Sequence, residues 1–309
     1  MAGKTGVSWA DVRFRETLHK VPKVMSELLV SYSGIPEDKQ IAHVTKLRNE
    51  AYVHFPYPCM GSFRFLDLDL SRHPAYKEHV VTPLCQPAVP EPLFLDCGTC
   101  LGQDLRKLVA DGVPPHRVWA SDIEPQFIEL GFELFQDKEK LQRDHFLCPG
   151  DLLSESRDPK EDRLVVLDDR VTILNITAVF HLFDLDDHKR IAERCLRLLR
   201  KDTGAPVLIL GAHVGANKHG RFHRDEEPGR YRYQHSPESW QALWSEVCGR
   251  SQWKDKIAAL EVKSKMFKRV RNDDDPNADE ISTLSEADPA SDDRLWQMFE
   301  VWVTFNGGS

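Results

Sequence analysis

The sequence predicts an α/β fold: an open, mostly parallel sheet of seven strands ending in an antiparallel hairpin, preceded by a helical cap. Three observations lead there. From residue 93 onward, apolar runs of strand length alternate with helical patterns, as expected of parallel strands joined by crossover helices. The first run breaks at an acidic residue into a loop with two glycines four apart, and a helical pattern follows. Two long β-like runs, 257–267 and 295–305, close the chain on either side of an acidic stretch.

The 309 residues, 41% hydrophobic and 29% charged, suffice for one large α/β domain with an added element, or for two smaller domains. A formal net charge of −8 argues against a phosphate backbone as the main partner, because nucleic-acid binders concentrate Lys and Arg. Residues 1–6 lack an apolar signal core, and no run approaches the roughly 20 apolar residues that span a bilayer. A soluble, cytoplasmic protein is expected. Seven cysteines at irregular spacing suit a reducing compartment. Cys97 and Cys100 form a C-x-x-C inside the glycine loop, which reads either as a redox pair or half of a zinc site or, as no second C-x-x-C follows, as two small side chains that fit a crowded turn.

Residues 1–90 form the expected cap. Val21, Val24, Met25, Leu28, Leu29 and Tyr32 share one helical face, and Gly34 with Pro36 stops that helix. A second helix is expected over 38–53. Residues 52–66 then mix aromatics with Pro56 and Pro58; the prolines forbid a regular helix, while the aromatics need apolar surroundings. Either this segment packs on the domain, or it is a lid whose Tyr52, Phe55, Tyr57 and Phe65 line a substrate pocket.

Residues 91–309 hold the sheet. The first strand, 93–97, leads into the glycine loop and a helix burying Leu105, Leu108 and Val109. The second, 117–121, ends at Asp122; Pro125 then opens a helix with Phe127, Leu130, Leu134 and Phe135 on one face. A short third strand, 145–148, ends in Pro149-Gly150-Asp151-Leu152. The fourth, 170–176, passes through Phe180-His181-Leu182-Phe183 to a helix burying Ala192, Cys195, Leu196 and Leu199. The fifth is 206–211. Ser236 and Pro237 cap a helix burying Trp240, Leu243, Trp244 and Val247. Residues 272–293 carry nine acidic side chains and little that is apolar, so a mobile loop is expected there.

Ligands of open parallel sheets bind beyond the C-terminal ends of the strands, and an acid about 20 residues past the glycine turn can hold ribose hydroxyls. Asp122 has that spacing. A nicotinamide dehydrogenase shares the feature, but its loop reads Gly-x-Gly-x-x-Gly. Here the loop is Asp96-x-Gly98-x-Cys100-x-Gly102, and Asp151 adds a third acid at a strand end.

That series, with Leu174-Asn175 at the end of the fourth strand, resembles the motifs of class I S-adenosylmethionine-dependent methyltransferases, which share a Rossmann-like fold. The resemblance implies that Asp96, Gly98, Thr99, Gly102 and Gln103 face the methionine part of the cofactor. Asp122 and Ile123 are then placed for the ribose, Asp151 and Leu152 for the adenine amino group, and Asn175 completes the site. Cys100 stands where the family has its middle glycine. Segments 57–68, 180–183 and 232–240 resemble, more narrowly, fungal methyltransferases of meroterpenoid and polyketide pathways, several of which convert a carboxylic acid on a terpenoid-aryl intermediate to its methyl ester.

The resemblance therefore implies S-adenosylmethionine as cofactor and O-methylation of a small hydrophobic acid. The favoured acceptor is a carboxyl group of a terpenoid or polyketide intermediate. A carboxylate, with a pKa of about 4, is ionised already; a phenol, at about 10, needs a base. His181 and His213 are the candidate bases or positioners, Arg64 is suited to grip a substrate carboxylate bidentately, and Phe180 is expected in the pocket wall. Each has a structural alternative, the histidines bonding to backbone and Arg64 pairing with an acid. His219 and His223 have helical ligand spacing, but Gly220 places them in a loop, and no metal is expected. The remaining alternatives are a phenol O-methyltransferase with His181 as base and a regulatory protein that kept the fold without catalysis. The expected partner is the small-molecule acid, with no nucleic acid and no membrane span; a homodimer is a compatible state.

Overall fold

Strand β1, Phe94–Cys97, sits near the middle of an eight-stranded sheet, fully buried along its length. The computed structural model describes residues 14–223, 231–272, 275, 277–290 and 295–306. Four further strands run parallel to β1: β2 (Val118–Ser121), β3 (Phe146–Leu147), β4 (Ile173–Asn175) and β5 (Val207–Gly215). Strands β6 (Gly220–His223) and β7 (Tyr231–Gln234) form a separate antiparallel ribbon, where the sequence reading expected a loop. Strands β8 (Ile257–Arg271), β9 (Ser282–Glu286) and β10 (Leu295–Phe305) complete the main sheet, whose order is β3-β2-β1-β4-β5-β10-β8-β9. Antiparallel β10 lies between β5 and β8.

The sheet thus has one strand more than the seven expected. β9 comes from the stretch expected to be a mobile acidic loop, and it pairs with residues 267–271 of β8. The tether is an acid from the N-terminal region. Asp67 Oδ1 accepts from the Ile281 amide at 2.7 Å and Oδ2 from the Ser282 hydroxyl at 2.6 Å, with Ile281 and Ser282 both buried. Local composition could not show this, because the partner is over 200 residues away. Residues 273–274, 276 and 291–294 of that stretch lie outside the described residues, as do residues 1–13, on which the targeting expectation rests.

Helices α1 (Lys23–Ser31) and α2 (Glu37–His54) form the cap, followed by the short turn Pro58–Gly61. The cap does not have a core of its own. Met25, Leu29, Val44 and Leu47 share one apolar cluster with Leu101 of the glycine loop and Phe127 of the helix after β2. Arg48 fixes the turn from beneath, donating to Arg15 O at 2.8 Å and Gly61 O at 2.7 Å, with its guanidinium 3.9 Å from the Phe63 ring centroid. Residues 70–84, placed in the cap by the sequence reading, pack on the sheet instead: Leu70, Tyr76, Val80 and Leu84 join Phe94, Leu105 and Leu208. Among the described residues no helix is long and apolar enough to cross a membrane.

Candidate active site

The glycine loop is built by backbone geometry. Gly98 has φ +71°, and the Ser121 carbonyl accepts from both the Gly98 and Thr99 amides, at 2.8 and 3.0 Å. A Cβ on Gly98 would sit 2.6 Å from Val179 Cγ2. Gly102, with φ +67°, precedes helix α3 (Gln103–Ala110). Cys100 occupies the same left-handed region at φ +55°, so the loop keeps its path although the usual glycine is absent.

Two carboxylates organise this loop. Asp96 Oδ2 accepts from Thr99 Oγ1 and Oδ1 from Asn175 Nδ2, both at 2.7 Å. Asp122 Oδ2 accepts from the Cys100 amide at 2.8 Å and Oδ1 from the Glu124 amide at 3.0 Å. The first acid ties the end of β1 to the end of β4; the second clamps the loop to the end of β2. Both are buried, 4% and 8% exposed, and neither makes an ion pair among the described residues. Burial pushes each up to about 6, against the hydrogen bonds that hold the charge. Asp151 is half-buried and accepts from the Leu153 amide at 2.8 Å, while Ile123 beside Asp122 is 60% exposed.

A cationic ligand fits this cradle. Two buried carboxylates lack a positive partner, and each oxygen with one donor keeps acceptor capacity. Gln103 Oε1, at the start of the helix after the loop, is buried with no donor among the described residues. The ammonium and sulfonium groups of S-adenosylmethionine carry the missing charge and N–H donors.

On the acceptor side the histidines and Phe180 separate. His181 lies half-buried in the turn Phe180–Leu182, its ring 6.5 Å from that of Trp296. Phe180 is fully buried, packed edge-on against Trp240 and His188, so it has no surface to offer a pocket. His213 is 1% exposed, packs against Trp240 and Phe299, and bonds Gln297 Oε1 through Nε2 at 3.0 Å. Both therefore belong to the core behind the site, because adjacent residues of this turn and strand point to opposite sides of the sheet.

The aromatics of the proline-rich segment divide likewise. Phe65 is buried in the cap cluster. Phe55 is 43% exposed and stacks on Tyr57 at 4.1 Å, and Tyr57 reaches Phe127 at 5.9 Å. Tyr52 packs against Phe14 at 4.9 Å. Arg64 donates to Asp69 Oδ2 at 2.9 Å and lies over the Trp296 ring at 4.9 Å. Arg269 also holds Asp69 and lies over the same ring at 4.5 Å. Arg269 and Trp296 carry no motif in the sequence; only the alternation along the closing strands, which puts Trp296 and Met298 on one face, hints at them.

An open sheet of five parallel strands, with the last strand inserted antiparallel beside the fifth and acids at the ends of β1 and β2, defines a class I S-adenosylmethionine-dependent methyltransferase. Residues 13–66 match the family described as the meroterpenoid methyltransferase N-terminal domain. The chain is 32% identical to O-methyltransferase phiE of a fungal species over 77% of this chain and 76% of that one. It is 35% identical to the asnovolin E/chermesin D methyltransferase nvfJ of Aspergillus novofumigatus, over 74% and 78% respectively. With O-methyltransferase atr3 of Stereocaulon alpinum it shares 32% identity over 85% and 71%. The chain belongs to this family of fungal secondary-metabolite methyltransferases.

Proposed function

We propose that this enzyme transfers a methyl group to a carboxyl oxygen of a small hydrophobic acid, an intermediate of terpenoid or polyketide secondary metabolism. The observation that carries the reading is the shared core of cap and cofactor loop. Because Leu101 and Phe127 are covered by cap side chains, the cap is anchored on the cofactor loop, and an acceptor held beside it would meet the donor in apolar surroundings. S-adenosylmethionine, when bound, supplies an electrophilic methyl on a sulfonium centre. An anionic acceptor and that cation neutralise each other on reaction, so a dry surrounding favours transfer over the separated ions.

The protein's own work is then positioning, worth ~7–11 kcal/mol in well-oriented systems. Asp96, Thr99 and Gln103 would hold the amino-acid end, Asp122 with the exposed Ile123 the ribose, and Asp151 with Leu152 the adenine amine. A carboxylate needs no general base. His181 is accordingly assigned to orienting the acceptor beside Trp296 rather than to deprotonating it.

The test uses matched hydrophobic acids and phenols with labelled methyl donor. A base-labile methyl ester, with His181→Ala retaining turnover and a flat profile from about pH 6 to 9, is expected. Product from phenols alone, with an alkaline limb abolished by His181→Ala, would establish the phenol reading instead.

A further inference from the structure

We propose that Arg269 and Trp296 form the anion-binding head of the acceptor site, taking the carboxylate of the hydrophobic acid; this rests on the carboxyl-transfer reading above. Among the described residues two donors there are buried with no acceptor, Arg269 Nη1 and Trp296 Nε1. The rest of the Arg269 guanidinium is engaged, Nε with the Ser282 hydroxyl at 2.7 Å and Nη2 with Asp69. Its one idle nitrogen lies on a guanidinium stacked over the indole whose own N–H is also idle. A desolvated donor without a partner is costly, and two neighbouring ones are both satisfied by one carboxylate.

The local charge points the same way. Arg64, Arg72 and Arg269 are all largely buried, with side chains 19%, 13% and 12% exposed. They face two buried carboxylates, Asp67 and Asp69, and Glu280 pairs with Arg72 at the rim. Two buried carboxylates serve three arginines, and among the described residues the third charge is met only by Glu280, whose side chain is 38% exposed at the rim. A guest carboxylate would join an arginine set that solvent-screened charge partly neutralises. The site also adjoins the methyl-transfer region, since the Trp296 ring is 6.5 Å from that of His181.

Room for the rest of the ligand lies next to it. Trp296 pairs with Phe267 across β10 and β8, and Met298 follows on the same face. Phe267, Leu284 and Met298 floor a cavity of about 390 Å³ rimmed by Arg72 and Glu280. That size lies within the range of small-molecule sites, and an apolar floor beside a cationic head matches a lipophilic acid.

The experiment measures binding of a terpenoid-substituted benzoic acid and of its neutral primary amide to the protein loaded with S-adenosylhomocysteine. Expected is at least a tenfold preference for the acid in the wild type, near-equal binding of the two in Arg269→Gln, and a preference cut at least threefold in Trp296→Phe, with S-adenosylhomocysteine affinity unchanged. If Arg269→Gln does not fold, Trp296→Phe decides, because it keeps an aromatic face under the guanidiniums while removing the indole N–H. A wild type without acid preference, or variants that retain it, overturns the proposal. Wild-type turnover of the same acid is read separately. Ester formation with unchanged preference in the variants sinks the anion site alone, and Arg269-dependent binding without ester sinks carboxyl transfer alone.

Discussion

Asn175 Nδ2 donates to Asp96 Oδ1 at 2.7 Å, joining the C-terminal ends of β4 and β1 directly beneath the cofactor loop. The two residues are 79 positions apart, and their bond sets where the Asp96 carboxylate points.

Replacing Asn175 with Ala leaves Asp96 a single side-chain donor, Thr99. Loss of a hydrogen bond to a buried charged group costs about 1.5–3 kcal/mol. Urea unfolding should show a loss of that order, and calorimetry should show S-adenosylhomocysteine binding weakened by about tenfold or more. Asn175→Asp should bind still less, because a second carboxylate would face Asp96.

Cofactor affinity should depend on pH. Asp96 and Asp122 titrate near 6 in the free protein, and a cation favours their ionised forms. Binding therefore releases protons below that value. The Kd for S-adenosylmethionine should fall as pH rises from about 5 to 7 and level off above. Asp122→Asn should reduce the slope by about one proton; an unchanged slope would remove Asp122 from the linkage.

Gly98→Ala combines a positive φ with a Cβ 2.6 Å from Val179 Cγ2. The backbone strain alone costs about 1–3 kcal/mol, and relief requires moving the loop that carries the Thr99 amide. At least tenfold weaker cofactor binding is expected by calorimetry, with secondary structure unchanged by circular dichroism.

A chain of neutral histidines backs the acceptor turn. The Phe180 carbonyl can only accept, so His188 Nε2 carries its proton toward it; His188 Nδ1 then accepts from His235 Nε2 at 3.0 Å, and His235 Nδ1 from the Ser239 hydroxyl at 2.9 Å. Burial pulls His188 down to about 4, His213 to about 3 and His235 to about 2. Unfolded imidazoles take up protons near 6.5, so the stability these groups contribute is complete above that pH and is lost as pH falls below it. At pH 5.5 the loss is about 1.4 kcal/mol per histidine. The buried carboxylates Asp96, Asp122, Asp67 and Asp104 act in the opposite sense, since burial raises them and penalises the native state more as pH rises. A variant isolates the histidine part: His213→Gln, which keeps a donor for Gln297, should lose about 1.4 kcal/mol less stability than the wild type between pH 7.5 and 5.5 by denaturant unfolding.

The strand ends were readable because their chemistry is local. Asp96, Gly98, Gly102 and Asp122 announce themselves through a run of apolar residues, a break and a helix start, all within one supersecondary unit. Phe180 follows β4 in the chain and His213 lies near the end of β5, yet their rings face the core. Chain position past a strand says a residue is near the site, but not which way the side chain turns. Strand β9 leaves no local trace, because the Ile281 amide just before it and the Ser282 hydroxyl at its start are held by the distant Asp67, and composition registers only the surrounding acids.

The sequence by itself determined the parallel strands and the glycine-acid loop, because alternating periodicity and glycine-acid spacing act over a few residues, and the family resemblance carried by those motifs implied the cofactor. Only the tertiary structure assembled the ion cluster proposed for the acceptor. Arg64 and Arg269 meet on Asp69 and Trp296 across some 200 residues, and an ion cluster of this kind arises from through-space charge balance in a buried setting, which leaves no periodic trace along the chain.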